Sequence, residues 1–143
     1  MASHESFMAL ALSESRKALP QCLPNPPVGC VLVRDEVVIS TGYTKSPGEC
    51  HAEADALSKC TGALSDVTAY VTLEPCSFHG RTPSCAEAFI DRGIRRVVVA
   101  LVDPDPRNNG QGLAKLRHAG IDIIQGVCSQ EAGEFLGPFL SDR

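Results

Sequence analysis

Four residues in this 143-residue chain could do chemistry together: His51, Glu53, Cys76 and Cys85. One imidazole and two thiols fill three of the four places around a tetrahedral zinc ion. Catalytic zinc centres have that arithmetic, with the fourth position kept for water or substrate, whereas structural centres close it with protein. Glu53, two residues after the histidine, adds a carboxylate that can carry protons without ligating. The expected cofactor is Zn2+, and the expected chemistry is hydrolysis with a metal-activated water. Cys50, beside His51, is the one competing thiol.

Those side chains need elements to hold them. Residues 6–19 carry Phe7, Met8, Leu10, Ala11, Leu12 and Ala18 in an amphipathic helical pattern, with Ser3 as a capping candidate and Pro20 ending the run. Asn25-Pro26-Pro27 must be extended or turned, since proline pushes its predecessor out of the helical region. Val28 to Arg34 and Val37 to Gly42 read as two strands joined at Asp35-Glu36. The first is too apolar for a one-sided surface strand and is expected to be covered on both faces. A helix is expected from about His51 to Cys60, ended by Gly62, then a strand from Tyr70 to Leu73. Ser77 to Arg81 form a loop. Thr82 and Pro83 predict the start of the next helix, as a capping hydroxyl followed by proline at the first helical position, and it runs to Arg92. Arg96 to Val102 is a strand, Asp103 to Pro106 a rigid loop, Gly112 to His118 a helix and Ile121 to Ile124 a strand. A terminal helix covers Gln130 to Leu136, with Ser129 as its candidate cap. The α/β alternation after the opening hairpin predicts a mixed sheet of about five strands with helices on both faces, formed by one domain over residues 1–143.

Bulk properties bound the function. Hydrophobic residues make up 43% and charged residues 21%, as in ordinary globular proteins. A net charge of -4 argues against nucleic acid as a partner, since its binders carry a broad basic excess. No apolar run reaches the roughly 18 residues that a membrane span needs, and the N-terminus lacks the pattern of a secretory signal. Seven cysteines, an odd number scattered through apolar segments, suit a reduced compartment better than a disulfide framework. The cytoplasm is the expected location.

The spacing of His51 and Glu53 sets a condition. Two residues apart in a regular helix, they point about 200° away from each other, so they converge only if His51 stands where the helix begins. Pro47-Gly48 just upstream makes a helix start there plausible on conformational grounds. Cys76 follows a strand and Cys85 falls in the first turn of a helix, where unpaired amides favour the thiolate that binds metal. Taken alone, each pair has a plainer reading, as exposed helix-start residues or as buried small hydrophobes. That plainer reading suits Cys30, Cys60 and Cys128, which lie in or beside apolar runs.

The order His51-x-Glu53, then Pro75-Cys76, then Cys85 resembles the signature of zinc deaminases, in which the Glu is the general acid/base. It differs in having eight residues between the cysteines. Asn25-Pro26-Pro27-Val28-Gly29-Cys30, the run Tyr70 to Ser77, Gly80-Arg81-Thr82-Pro83-Ser84-Cys85-Ala86 and Asp103-Pro104-Asp105-Pro106 narrow the likeness. From about Ser6 to Leu136 the chain resembles the pyrimidine deaminase domain of riboflavin biosynthesis, a branch of the cytidine deaminase-like superfamily. The resemblance implies a three-layer α/β/α sandwich around a five-stranded sheet. It implies zinc on His51, Cys76 and Cys85, and Glu53 as the proton shuttle. The implied substrate is a diaminopyrimidinone with a ribosyl or ribityl 5′-phosphate, contacted by Asn25, the backbone of Ala52, Phe78 and, at its phosphate, Arg81. A homodimer or larger assembly is implied as well.

Two departures stand out, since many bacterial members have His at the positions of Thr44 and Phe78. Gly42-Tyr43-Thr44 and Asn108-Asn109 look more like fungal members, which inclines the expected substrate toward the ribitylamino form. Bacterial members are commonly fused to a reductase domain, for which 143 residues leave no room, so the chain reads as a stand-alone deaminase or as one domain of a longer protein. Two other readings compete. One is a deaminase of cytosine, cytidine, guanine or a tRNA adenosine on the same scaffold. The other is a non-catalytic zinc-stabilised subunit, which would have no use for Glu53.

Overall fold

In the first strand, neighbouring residues face opposite ways, and this decides the layers. Cys30 and Leu32 join one buried cluster while Val31 and Val33 join another. A strand buried on both faces needs helices on both sides. The structure, a computed structural model, describes residues 3–77 and 84–140. Among them are five helices and five strands: α1 (His4–Arg16), β1 (Gly29–Arg34), β2 (Val37–Tyr43), α2 (Ala52–Ser58), β3 (Val67–Leu73), α3 (Cys85–Asp91), β4 (Arg96–Leu101), α4 (Gln111–His118), β5 (Asp122–Gln125) and α5 (Ser129–Leu140).

The strands form one sheet in the order β2-β1-β3-β4-β5. β1 runs antiparallel to both β2 and β3, whereas β3, β4 and β5 are parallel. On one face α2, α3 and α4 bury Ala56, Leu57, Phe89, Leu113 and Leu116 against Leu32, Val71, Val97 and Val99. On the other, α1 buries Phe7, Met8 and Ala11 against Val31, Tyr70 and Val98. α5 contributes Ala132 to this second cluster and Leu136 to the first. The result is the expected α/β/α arrangement with a mixed sheet.

The hairpin turns at Asp35-Glu36 as expected, both with left-handed φ values of 51° and 63°, the backbone of a tight two-residue connection. Ser3 caps α1 in a reciprocal box with Ser6. Other boundaries differ. β3 begins at Val67, three residues before the expected start, because Val67 to Ala69 pair with β1. α5 begins with Ser129 inside the helix rather than as its cap, and continues past Leu136 to Leu140, where Phe135 and Leu140 pack on the core. α3 begins at Cys85, capped by Ser84, whose hydroxyl accepts from Glu87 N–H at 3.1 Å. The expected start at Thr82-Pro83 lies outside the described residues.

Candidate metal centre and pocket

His51 is the residue just before α2, with extended backbone (φ -71°, ψ 167°), while its carbonyl already accepts the first helical bond from Asp55 N–H at 2.9 Å. Its side chain makes no capping bond. A capping residue has lost the helical twist that would otherwise separate it from Glu53, so the condition set by the two-residue spacing is met. Gly42 on β2 lets the helix sit this close, since a Cβ there would lie 2.4 Å from Ala52 O. Ala52 is accordingly buried under the sheet edge.

Cys76 leaves the end of β3 through Glu74-Pro75 and meets the first turn of α3. The amides of a helix's first turn have no partner within the helix. Here Cys85 N–H donates to Cys76 Sγ at 3.3 Å and Ala86 N–H donates to Cys76 O at 3.1 Å. The two cysteines are therefore registered against each other by the backbone, whatever lies between them.

The three ligand atoms converge. His51 Nδ1 lies 3.9 Å from Cys76 Sγ and 3.4 Å from Cys85 Sγ, and all three atoms fall within 4.8 Å of one another. Zinc bonds of about 2.3 Å to sulfur and about 2.05 Å to nitrogen, at tetrahedral angles, put nitrogen and sulfur about 3.6 Å apart. The donor set and its spacing fit zinc. Cys50 is exposed and does not belong to this group. Cys30 is core, and Cys60 and Cys128 are half-buried against it, as expected.

The protons report the same arrangement. Hydrogen bonding from the Cys85 thiol, helped by His51, holds Cys76 down to about 4. The bond to Cys76 raises His51 to about 9, and Cys85, beside a thiolate and buried, is pushed up. The Cys76 thiolate is thus balanced by the His51 cation, while Cys85 keeps its proton. Glu53 is 4% exposed, and burial pushes its carboxyl up to about 7. A group balanced near neutrality can take and return a proton.

A pocket of about 250 Å³ opens onto the cluster, lined by Asn25, Pro26, Val28, Thr44, His51, Glu53, Leu73, Glu74, Cys76, Asp103 and Arg107. Its size suits one heterocycle better than a polymer. Asn25 stands in the wall, as expected. Ala52 lies beside His51 and Glu53 but is not a wall residue, while Phe78 and Arg81 lie outside the described residues. Thr44 is a wall residue with a positioning task, for its hydroxyl accepts from Val28 N–H at 3.0 Å and ties the Asn25 segment to β2.

Three charged wall residues had not been expected: Glu74, Asp103 and Arg107. Glu74 is a buried carboxylate that accepts from the N–H groups of Asp103 (3.0 Å), Gly110 (2.9 Å) and Leu113 (3.0 Å). Asn108, fully buried, donates to Pro75 O at 3.2 Å and accepts from Gly112 N–H. A Cβ on Gly112 would come within 1.9 Å of Pro75 O. The segment from 103 to 113 is thereby clamped to the Pro75-Cys76 corner. The available signal was a glutamate next to a metal-binding Pro-Cys, at a point where the strand's own hydrogen bonds have run out.

Residues 1–101 match the family model of the cytidine and deoxycytidylate deaminase zinc-binding region. The riboflavin biosynthesis protein RibD of Escherichia coli is 45% identical over 136 residues, and the match takes in 95% of this chain but only 37% of that curated relative. The diaminohydroxyphosphoribosylamino-pyrimidine deaminase of Buchnera aphidicola is 38% identical, covering 90% of this chain and 88% of that protein. The structure of Acinetobacter baumannii RibD superposes with a TM-score of 0.91 at 40% identity, over 96% of this chain and 39% of that one. The Aspergillus oryzae Rib2 deaminase shares the fold at a TM-score of 0.80 but with 24% identity, over 99% of this chain and 94% of that one. With the His51, Cys76 and Cys85 cluster, the buried Glu53 beside it and these matches together, the chain belongs to the zinc-binding cytidine and deoxycytidylate deaminase family, in the branch of the riboflavin-biosynthesis pyrimidine deaminases.

Proposed function

We propose that the chain is a zinc-dependent hydrolase that deaminates a 2,5-diamino-6-(ribosylamino or ribitylamino)-4(3H)-pyrimidinone 5′-phosphate to the 5-amino-2,4-pyrimidinedione, releasing ammonia. The observation that carries this reading is the position of Glu53, buried in the same pocket wall as His51 and Cys76. A structural zinc site has no use for a carboxylate there. Zinc held by His51, Cys76 and Cys85 would supply Lewis acidity that makes water a nucleophile near neutral pH. Glu53 takes a proton from the attacking water and delivers it to the ring nitrogen next to the amine-bearing carbon. It then takes the remaining proton of the added hydroxyl and passes it to the amine, so that the C–N bond breaks, ammonia leaves and the water oxygen remains as the new carbonyl. Asn25 holds the ring and Ala52 offers its backbone to it. Phe78 and Arg81 contact the remainder, Arg81 at the phosphate.

The name of the Buchnera relative and the greater identity to bacterial RibD than to the fungal Rib2 weigh toward the ribosylamino side chain, against the inclination of the Gly42-Tyr43-Thr44 sequence. All seven cysteines are unpaired, which suits the reducing cytoplasm. A single deaminase domain, assembled as a homodimer or larger, completes the proposal. The test is ammonia release from zinc-replete protein given the ribosyl and ribityl phosphates alongside cytosine, cytidine and guanine. Glu53→Gln should retain one zinc per chain and lose at least about 10³-fold in kcat, within the range of lost acid/base catalysis. Near-normal turnover by that variant removes Glu53 from the mechanism, and turnover only of an unphosphorylated base replaces the substrate.

A further inference from the structure

Glu74 is a second buried carboxylate beside the metal-binding cluster, and the proton transfers assigned to Glu53 make no use of it. It is 3% exposed and lines the pocket next to Cys76. Its main-chain N–H completes the sheet by donating to Leu101 O at 2.9 Å. Its side chain grips the chain that continues from β4. Oε1 accepts from Asp103 N–H at 3.0 Å and from Gly110 N–H at 2.9 Å, so the segment from 103 to 110 begins and ends on one oxygen. Oε2 accepts from Leu113 N–H at 3.0 Å.

Gly110 shows why a carboxylate is wanted there. It stands before α4 as the capping residue, with left-handed backbone (φ 92°), and has no side chain with which to cap. The first-turn amides of a helix lack partners within it and carry partial positive charge. Glu74, from a remote strand end, supplies the acceptor and the negative charge that the local sequence lacks, in charge-assisted bonds roughly twice as strong as neutral ones. Asn108 adds a second tie to the same corner through Pro75 O and Gly112 N–H. The segment held in this way carries two residues of the pocket wall, Asp103 and Arg107. Cys76 is registered separately, by the N–H of Cys85.

We infer that Glu74 is a positioning residue for substrate binding, which sets the pocket wall formed by the segment from 103 to 107 at a fixed distance from the metal-binding corner. The assignment rests on the proposed function, since the wall is set to receive that pyrimidine. Its loss falls on binding and spares zinc, because the metal ligands keep their own backbone constraints.

The test compares zinc-loaded wild type, Glu74→Gln, Asn108→Asp and Met8→Ala on the ribosyl and ribityl phosphates, well below the melting temperature of each protein. Glu74→Gln keeps the shape but turns an NH2 group toward a backbone N–H, and Asn108→Asp removes the donor to Pro75 O. Met8→Ala opens a cavity in the other core, under α1, and reports what lost stability does alone. Glu74→Gln should hold one zinc per chain and raise KM about tenfold, with kcat within about threefold of wild type, the split expected when a binding contact is misplaced. Asn108→Asp should move KM in the same direction, whereas Met8→Ala should lower Tm and leave KM unchanged. Amide exchange should show Asp103, Gly110 and Leu113 losing protection in Glu74→Gln while β3 keeps its own. A folded Glu74→Gln with the wild-type KM, or one whose whole defect is lost zinc, overturns the inference, as does a KM that rises as far in Met8→Ala. Where Glu74→Gln does not fold, Asn108→Asp decides by the same criterion. If wild type releases no ammonia from either phosphate, the proposed function fails and the inference falls with it.

Discussion

Each ligand in the cluster is fixed by a backbone feature next to it. His51 is turned toward the cysteines because it stands outside the helical twist, and Cys76 because it receives an N–H from Cys85. Cys50 has neither constraint, although it is adjacent to His51 and exposed. Cys76→Ser and Cys85→Ser should each bring zinc well below one atom per chain, whereas Cys50→Ser should keep one. Metal analysis after gel filtration reads this directly, and loss of zinc from the Cys50 variant would place a fourth protein ligand at the site. The four chemical residues were legible because metal binding restricts residue type as well as spacing. Arg107 was not, since a charged residue in a loop looks the same in sequence whether it is solvated or braced. The contacts to Asp105 distinguish the two.

At the scale of elements, the site depends on two helix starts and one strand end. The amphipathic pattern of α1, the double-sided apolarity of β1 and the Asp35-Glu36 turn could be read directly, because period and turn chemistry are local. Ser84-Cys85-Ala86-Glu87 carries the Ser-x-x-Glu spacing of an N-terminal cap, and the structure uses that hydroxyl at the start of α3. The choice matters because the cap sits directly before a ligand. Ser84 is 1% exposed, so Ser84→Ala leaves Glu87 N–H without its acceptor and should cost about 1 kcal/mol. That corresponds to roughly 2–4 °C in Tm, and zinc should dissociate faster from the variant because Cys85 opens the frayed turn. Thermal melts of zinc-loaded and zinc-stripped protein, with a chromogenic chelator following release, check both parts. An unchanged release rate would separate the cap from the metal.

On the scale of the whole molecule, the cluster joins segments that are far apart in sequence: the start of α2, the exit of β3 and the start of α3. The glutamate clamp ties in a fourth, the segment leading from β4 into α4. All of them meet on the face of the sheet covered by α2, α3 and α4, the larger of the two cores. Zinc that binds the folded chain and not the unfolded one must therefore raise the stability of that entire face, by RT ln(1 + [Zn]/Kd). At free zinc one hundred times the dissociation constant this is about 2.7 kcal/mol. For a chain of this size that amounts to roughly 5–10 °C in Tm. Calorimetry across a series of buffered zinc concentrations should show a single transition that climbs with the logarithm of free zinc. Cys85→Ser should melt at one temperature throughout the series, while Glu53→Gln should climb as wild type does, since it removes the proposed proton carrier and leaves His51, Cys76 and Cys85 in place. A wild-type Tm indifferent to zinc would mean that the metal is held by a locally ordered patch, uncoupled from the sheet that brings its ligands together.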